Sequence, residues 1–478
     1  MNEHFTRRAF LKSAALGAAA TLPVARLLAV ADAAGGAPPN IIFILTDDLG
    51  WGDPHLFGGH PYIKTPNLDR LAREGTCFTQ SYTSSPVCSP SRCGFMTSHY
   101  PARHKIHGHF ADHAQNQQRG MPNWLDPRAA TLPGLLKKAG YRTGHFGKWH
   151  LGHGQGAPAP TEYGIDVSKT VNSTGPQLGS EKEQEYFRAR STGLMVDETI
   201  KFIEAGKGAG YKKPFYVNLW TLVPHALLKP TPEELAFYRD LDPDPKDFPS
   251  YMRQYAGSSK NFKSQMKVFA AAVTGMDKAL GRLFDWLDKE GLADNTLIFF
   301  TSDNGPEDYR ISNAANAGMG SPGPFRARKR SLYEGGLRTS CIARWKGRVP
   351  AGKVDKDSVL TAVDFLPTMC SLAGAAVPES VKADGENVSD ILTGKSRPRT
   401  RPIFWEWRFG VAGNKNYHPP KLAVRDGKWK LFVNPDGSSA ELYDIPADGE
   451  ERKNVAAEHE EVVARLKTLV LEWKKTLP

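Results

Sequence analysis

Cysteine is scarce here: the five thiols of the 478-residue chain, at positions 77, 88, 93, 341 and 370, are odd in number and widely scattered. That excludes a small disulfide-stapled fold, and the absence of any C-x-x-C pair excludes the usual structural zinc modules. At least one cysteine is therefore unpaired. No uninterrupted apolar run approaches the ~20 residues that span a bilayer; the apolar stretch after Lys12 is broken by Pro23 and Arg26. Helix-turn-helix, zinc-finger and RNP-type patterns are missing, so nucleic acid is not expected as a partner. Biased tracts and internal repeats are missing too. With 40% hydrophobic and 24% charged residues the chain is globular, and its length calls for a large domain plus a smaller one.

What is present begins with an address. Thr6-Arg7-Arg8-Ala9-Phe10-Leu11-Lys12 is a twin-arginine pattern, followed by an Ala/Leu-rich stretch and small-residue sites ending at Ala31 or Ala33. Residues 1–31 are expected to be a cleaved signal read by the twin-arginine export machinery, with no stable membrane span and a periplasmic or secreted product. That route carries folded proteins, so the active centre is expected to be completed in the cytoplasm. Cleavage after Ala31 would take Lys and Arg from 62 to 58 and Asp and Glu from 51 to 50, lowering the net charge from +11 to +8. A basic surface attracts polyanions, without choosing among them.

Three apolar, β-branched runs, 40–46, 215–220 and 297–301, are expected to be strands covered on both faces. Between them, Met266, Phe269, Val273, Met276, Leu280, Leu283 and Leu287 recur at spacings of three and four along one helix face, and Thr131 to Ala139 is a shorter helix stopped by Gly140. Alternating helices and buried strands predict an α/β fold with a large, mostly parallel sheet sandwiched by helices, over residues 38–395. From Ser396 to Pro478 the pattern predicts a small α+β domain: Lys421 to Val433 as a strand, a turn at Asn434-Pro435-Asp436-Gly437, a strand over Ala440 to Ile445, and a terminal helix marked by Val462, Leu466, Leu469 and Trp473. Gly154 to Ser191 and Pro230 to Ser264, rich in Pro, Gly and charge, are expected to be long loops.

Each buried run is followed at once by polar chemistry: Asp47-Asp48, Pro224-His225 and Asp303-Asn304. Ligands of parallel sheets gather at the carboxyl ends of strands, so the three segments should share one edge. Three carboxylates and an amide oxygen form a hard donor set for calcium or magnesium; a helix cap and a surface turn are the simpler alternatives. In Ser85-Pro86-Val87-Cys88-Ser89-Pro90-Ser91-Arg92, Pro90 fits a first helical turn, placing Cys88 just before a helix N-terminus, where anions are favoured. Taken alone, Cys88 is a candidate thiolate nucleophile. The cysteine-phosphatase loop, however, needs an arginine six residues on, and Arg92 is four residues on.

Cys88-Ser89-Pro90-Ser91-Arg92, continuing through Cys93-Gly94-Phe95-Met96-Thr97-Ser98, resembles the signature of type I sulfatases in the alkaline-phosphatase-like superfamily. Gly140 through Gly152, with Gly147-Lys148-Trp149-His150, resembles their second signature. The runs at 47–53, 65–71 and 299–305 and Glu334-Gly335-Gly336 are similar too, and the pattern is most like the N-acetylgalactosamine-6-sulfatase and arylsulfatase A branch.

The resemblance implies that a separate formylglycine-generating enzyme oxidises Cys88 to an aldehyde, which hydrates to a diol and attacks sulfur. It implies that Asp47, Asp48, Asp303 and Asn304 hold a divalent ion, calcium with magnesium as alternative, that also touches residue 88. Arg92 would hold the diol, Lys148 and Lys329 the sulfate; His150 would be the base and His225 the acid that protonates the leaving oxygen. The expected substrate is a sulfated glycan. His104 and His107, in a cluster with His109 and His113, either contact sugar or face solvent, and Arg328, where Gly is frequent, is expected to add a cation to the substrate rim. Ser98, in place of the usual Gly, and Cys93, in place of a small residue, are mild departures. A phosphodiester or phosphonate hydrolase on the same scaffold and a non-catalytic glycan binder are the competing readings.

Overall fold

The first apolar run becomes a strand with no exposed face. β1 (Asn40–Asp47) is buried at all eight positions. Ile42 and Ile44 pack into one core and Ile41, Phe43 and Leu45 into a second on the other side, because successive side chains of a strand point to opposite faces. The computed structural model describes residues 37–478 apart from 59, 249–252, 254–256, 258, 309–310, 312–313, 315 and 411–416. The expected export signal over residues 1–31 lies outside the described residues. Pro39–Pro478 form one compact unit, and among the described residues no helix is long and apolar enough to cross a membrane.

β1 lies between β5 (Phe215–Pro224) and β6 (Thr296–Ser302), parallel to both. Beyond β5 come β3 (Arg142–Lys148) and the edge strand β4 (Val167–Val171), also parallel. Beyond β6 come β7 (Arg338–Arg344), reversed against both neighbours, then β2 (Thr76–Tyr82) and the edge strand β8 (Lys353–Thr361). Helices α1 (Pro66–Arg73), α4 (Phe187–Glu204) and α5 (Phe262–Lys289) pack on the Ile42 face. The Phe43 face is covered by α2 (Cys88–Thr97), α3 (Leu132–Lys138) and α6 (Phe365–Leu372). All seven apolar positions read along the long helix are buried, and Thr131 caps α3 by accepting from Gly134 N.

The second sheet keeps the expected reversal at 434–437 and adds one before it. Lys421 to Val433 is a hairpin, β10 (Leu422–Asp426) and β11 (Trp429–Val433) reversing at Gly427, which has φ 58°. The earlier Asp-Gly pair makes the tight turn. β9 (Ile403–Glu406) and β12 (Glu441–Asp444) complete four antiparallel strands, and α7 (Glu460–Lys475) buries Leu466, Val470 and Trp473 against them. Buried Glu334 ties this sheet to the first, accepting from Tyr82 Oη of β2 at 2.6 Å and from Lys430 Nζ of β11 at 2.8 Å. The segment 154–191 is not simply loop: it contains β4 and the first turn of α4.

Candidate active site

Strand register assembles the acidic residues. β1 and β6 run in step to Thr46 opposite Ser302, so Asp47-Asp48 and Asp303-Asn304 leave the sheet side by side. Asp303 N donates to Thr46 O (3.0 Å), and Asp48, held in the left-handed region at φ 68°, donates from its backbone N to Asp303 Oδ1 (3.2 Å). Pro224, the last residue of β5, pairs with Asp47, which sets His225 beside them. β3 ends in Lys148. Gly147 before it has φ 117°, and a Cβ there would lie 2.0 Å from Trp220 O, so only glycine lets β3 close on β5 at this point.

Cys88 is the first residue of α2 rather than the residue before it; Val87 is the extended N-cap and Pro90 sits in the first turn. The thiol is buried, within electrostatic reach of Arg92, Asp303, Lys329 and Arg330. One helical turn on, the fully buried Arg92 donates to Asp303 Oδ2 from Nε (3.0 Å) and Nη2 (2.7 Å), and to Lys148 O from Nη1 (2.9 Å). Its Cζ lies over the Trp220 ring, 5.1 Å from the ring centroid. These bonds run to Asp303 and β3, so in this structure Arg92 fixes the frame around residue 88.

Lys148 Nζ lies 2.5 Å from Asp47 Oδ2, and Lys329 Nζ lies 2.7 Å from Asp48 Oδ2. Burial alone would raise the Asp47 carboxyl, but Lys148, His225, Arg92 and Lys329 outweigh it and hold Asp47 well below the usual range. Asp303 is pushed up by burial and by the Asp47 charge. His150 is kept neutral by burial, reinforced by Lys148 and Arg92. Its Nε2 stands 3.1 Å from Phe110 O, a carbonyl that can only accept, so Nε2 carries the hydrogen and Nδ1 is bare. Nδ1 is buried without a hydrogen-bond partner. His225 Nδ1 likewise donates to Ala226 O (2.7 Å), leaving Nε2 at 3.8 Å from Asp48 Oδ2; its side chain is 30% exposed, on the open side of the cluster.

The donor chemistry fits a divalent ion. Ligand atoms of Asp47, Asp48 and His225 all lie within 4.8 Å of one another. Asp47 Oδ1 and Asn304 Oδ1 are buried without hydrogen-bond partners. For Asn304 the reason is visible: its Nδ2 donates to Asp48 Oδ1 (2.7 Å) and Gly305 O (2.8 Å), which turns the amide oxygen away from both. Orphaned oxygens in a carboxylate-crowded site are what a hard cation satisfies.

Residues 39–375 match the family model described as Sulfatase, and residues 325–476 the model described as N-sulphoglucosamine sulphohydrolase, C-terminal. The chain belongs to the sulfatase family. It is an enzyme of sulfuric ester hydrolysis. N-acetylgalactosamine-6-sulfatase of Canis lupus familiaris is 32% identical over 415 residues, 80% of this chain and 72% of that protein. Arylsulfatase A of Bos taurus is also 32% identical, over 86% and 78% of the two chains. A crystal structure of Ps i-CgsB in complex with k-i-k-neocarrahexaose has a TM-score of 0.70 at 28% identity, covering 89% of the sulfatase and 90% of that chain.

Three positions expected at the sulfatase's substrate rim are placed otherwise. Arg328 is buried, donating from Nε to Glu307 O (2.8 Å) and from Nη2 to Gly318 O (2.8 Å) and Gly320 O (2.5 Å); it stitches loops together and adds no cation to a rim. His107 is buried with Nδ1 3.3 Å from Glu406 Oε1 of β9, and His104 stacks on His99 with their ring nitrogens 3.1 Å apart. His109 is the member of that cluster that approaches the site, its ring centroid 6.4 Å from that of His150. Ser98, the departure from Gly, holds φ 61° as the left-handed C-cap of α2, which explains why glycine is the easier residue there.

Two further site residues carried no advance signal. Glu307, two residues after Gly305, pairs with Arg330 and lies 3.4 Å from Lys329 Nζ. Lys329, Arg330 and backbone hydrogen bonding overcome the upward push of burial and hold Glu307 below the usual range. An acid after Asp-Asn-Gly-Pro and one more arginine in a basic run look like solvated charges until the fold brings them together.

Proposed function

We propose that this sulfatase hydrolyses sulfate esters of a carbohydrate, with Cys88 converted to formylglycine as the nucleophile. What carries the reading is the single buried cluster in which Cys88 at a helix N-terminus meets four metal-type donors, two lysines, an arginine and two histidines. The basic chain, the relative named for N-acetylgalactosamine 6-sulfate and the structural neighbour solved with a neocarrahexaose support a sulfated glycan as substrate. As formylglycine, position 88 supplies a hydrated aldehyde, one hydroxyl serving as nucleophile and the other as the means of expelling sulfate afterwards. Asp47, Asp48, Asp303 and Asn304 would hold a divalent ion, calcium before magnesium, which supplies charge to a sulfate oxygen and acidity to the nucleophile.

The remaining work belongs to side chains. Lys148 and Lys329, buried ammoniums with three donors each, hold the sulfate oxygens and oppose the charge that builds there. His150, its tautomer fixed by Phe110 O, takes the proton of the second hydroxyl at the bare Nδ1. His225 protonates the leaving sugar oxygen from Nε2, the nitrogen on the open side; an alkoxide leaves poorly, so this proton matters most for sugar sulfates. Its imidazole is held down to about 4 by burial, partly offset by Asp47, and the negative charge of a bound sulfate raises it toward the protonated form. Arg92 acts by positioning Asp303 and Lys148. Before this, a formylglycine-generating enzyme would act on the chain in the cytoplasm, and the segment around Arg7-Arg8 would direct twin-arginine export to the periplasm or beyond.

The test is release of inorganic sulfate from a sulfated hexosamine before and after chelation, with an aryl phosphodiester as control. Chelation should cut release by at least about 100-fold and calcium should restore it, because the ion's charge beside sulfur and nucleophile is lost; a bound ion at 100 times its Kd also stabilises the fold by about 2.7 kcal/mol. The melting temperature should fall by a few degrees with it. Sulfate release and melting both indifferent to chelation, or faster turnover of the phosphodiester, would refute the proposal.

A further inference from the structure

We propose that Arg330 is a specificity-determining residue that binds a second anionic group of the substrate, a sulfate or carboxylate next to the ester being cleaved; this rests on the carbohydrate-sulfate reading above. The loop that delivers Lys329 enters the left-handed region at Ala327 (φ 66°) and again at Arg330 (φ 72°), conformations that non-glycine residues adopt only when the surroundings hold them. The second twist has a visible anchor: Arg330 N donates to Pro86 O at 2.9 Å, two residues before Cys88. Arg330 is thus fastened to the nucleophile's own loop. Its guanidinium faces both oxygens of Glu307, Nη2 lying 3.0 Å from Oε2 and Nη1 meeting Oε1. Asp48 and Cys88 lie within its electrostatic reach as well.

Exposure separates Arg330 from the other cations of the site. The side chains of Arg92, Lys148 and Lys329 are 0%, 4% and 3% exposed, against 24% for Arg330. Arg92 is committed to Asp303 and Lys148 O, and the two lysines are sealed below the surface; Arg330 alone of the four also has a face toward solvent. A guanidinium carries five N–H donors, and Glu307 takes two. Among the described residues no acceptor meets the others. Glu307 holds the fork in place from the buried side and lies 3.4 Å from Lys329 Nζ, whose nearer carboxylate is Asp48 at 2.7 Å. What remains is a preoriented planar donor edge at the mouth of the site, a match for the two oxygens of a sulfate or carboxylate. Neutral sugar hydroxyls would not require it.

The experiment compares Arg330→Gln and Arg330→Lys with the wild type on an aryl sulfate, a disulfated hexosamine, and a monosulfated hexosamine linked to a uronate; the last two separate sulfate from carboxylate as the second group. For Arg330→Gln we expect kcat/KM to fall by about 10- to 100-fold on whichever doubly charged saccharide is recognised, chiefly through KM, and by about threefold or less on the aryl sulfate. Arg330→Lys should recover part of the loss. In a Cys88→Ala background, which binds without turnover, calorimetry should show the same saccharide weakened by about tenfold or more on adding Arg330→Gln. Equal losses on all three substrates would overturn the proposal, as would a wild type that gains nothing from a second anion while still cleaving the aryl sulfate. A converted wild type that cleaves none of them overturns the catalytic reading and this one together.

Discussion

Replacing Cys88 by alanine should lower kcat for sulfate release by about 10⁴-fold or more while leaving the fold almost unchanged, since removing the nucleophile of a covalent mechanism leaves only binding and electrostatics. The structural side of the prediction follows from size and surroundings. Cys88 is 3% exposed at the head of α2, whose helical bonds are made by backbone groups that alanine supplies equally well. Loss of one sulfur atom from a close-packed site costs about 1 kcal/mol. A melting curve and an aryl sulfate assay on the same preparation separate the two effects. Activity within about tenfold of wild type would remove residue 88 from the chemistry.

The reverse pattern is expected at Arg92, where stability should suffer most. Arg92→Leu strips Asp303 of two charge-assisted hydrogen bonds and Lys148 O of a third, and the carboxylate left behind is fully buried. Breaking a buried pair from one side costs about 3–5 kcal/mol, several times the loss expected at Cys88. Arg92→Lys should rescue little, because one ammonium cannot span Asp303 Oδ2 and Lys148 O as the guanidinium fork does. With its anchor gone Lys148 shifts, and kcat should fall by about 100-fold, the scale of losing one oxyanion donor. Denaturant unfolding of the three proteins is the measurement; a stability change under about 1 kcal/mol would mean that the Arg92–Asp303 pair carries little of the load.

The parts of the fold that were legible were those in which one residue's chemistry decides its place. β1, β5 and β6 declared themselves because a strand sealed on both faces is built mostly of apolar residues, and the site because each of these strands ends in a polar group that would be costly to bury without purpose. β3 did not. Arg142-Thr143-Gly144-His145-Phe146-Gly147-Lys148 has no apolar run and two glycines, and it is a strand because β4 and β5 accept its backbone on both sides. The hairpin at Gly427 was obscured by a second Asp-Gly ten residues on, where Gly437 N donates to Asn434 O in the expected reversal between β11 and β12. Side-chain placement in loops was least legible: Arg328 and Arg330 are two residues apart in one basic run, yet one holds carbonyls in the interior and the other faces solvent beside Cys88. Nothing in their order distinguishes them; the two left-handed turns do.

Mass spectrometry of the peptide containing Cys88, from protein made in its native host, asks the central question most directly. Conversion of the thiol to an aldehyde lowers that peptide's mass by about 18 Da and makes it reactive toward carbonyl reagents, as the activated-nucleophile account predicts. Finding an unmodified cysteine in protein that nevertheless releases sulfate at full rate would contradict it.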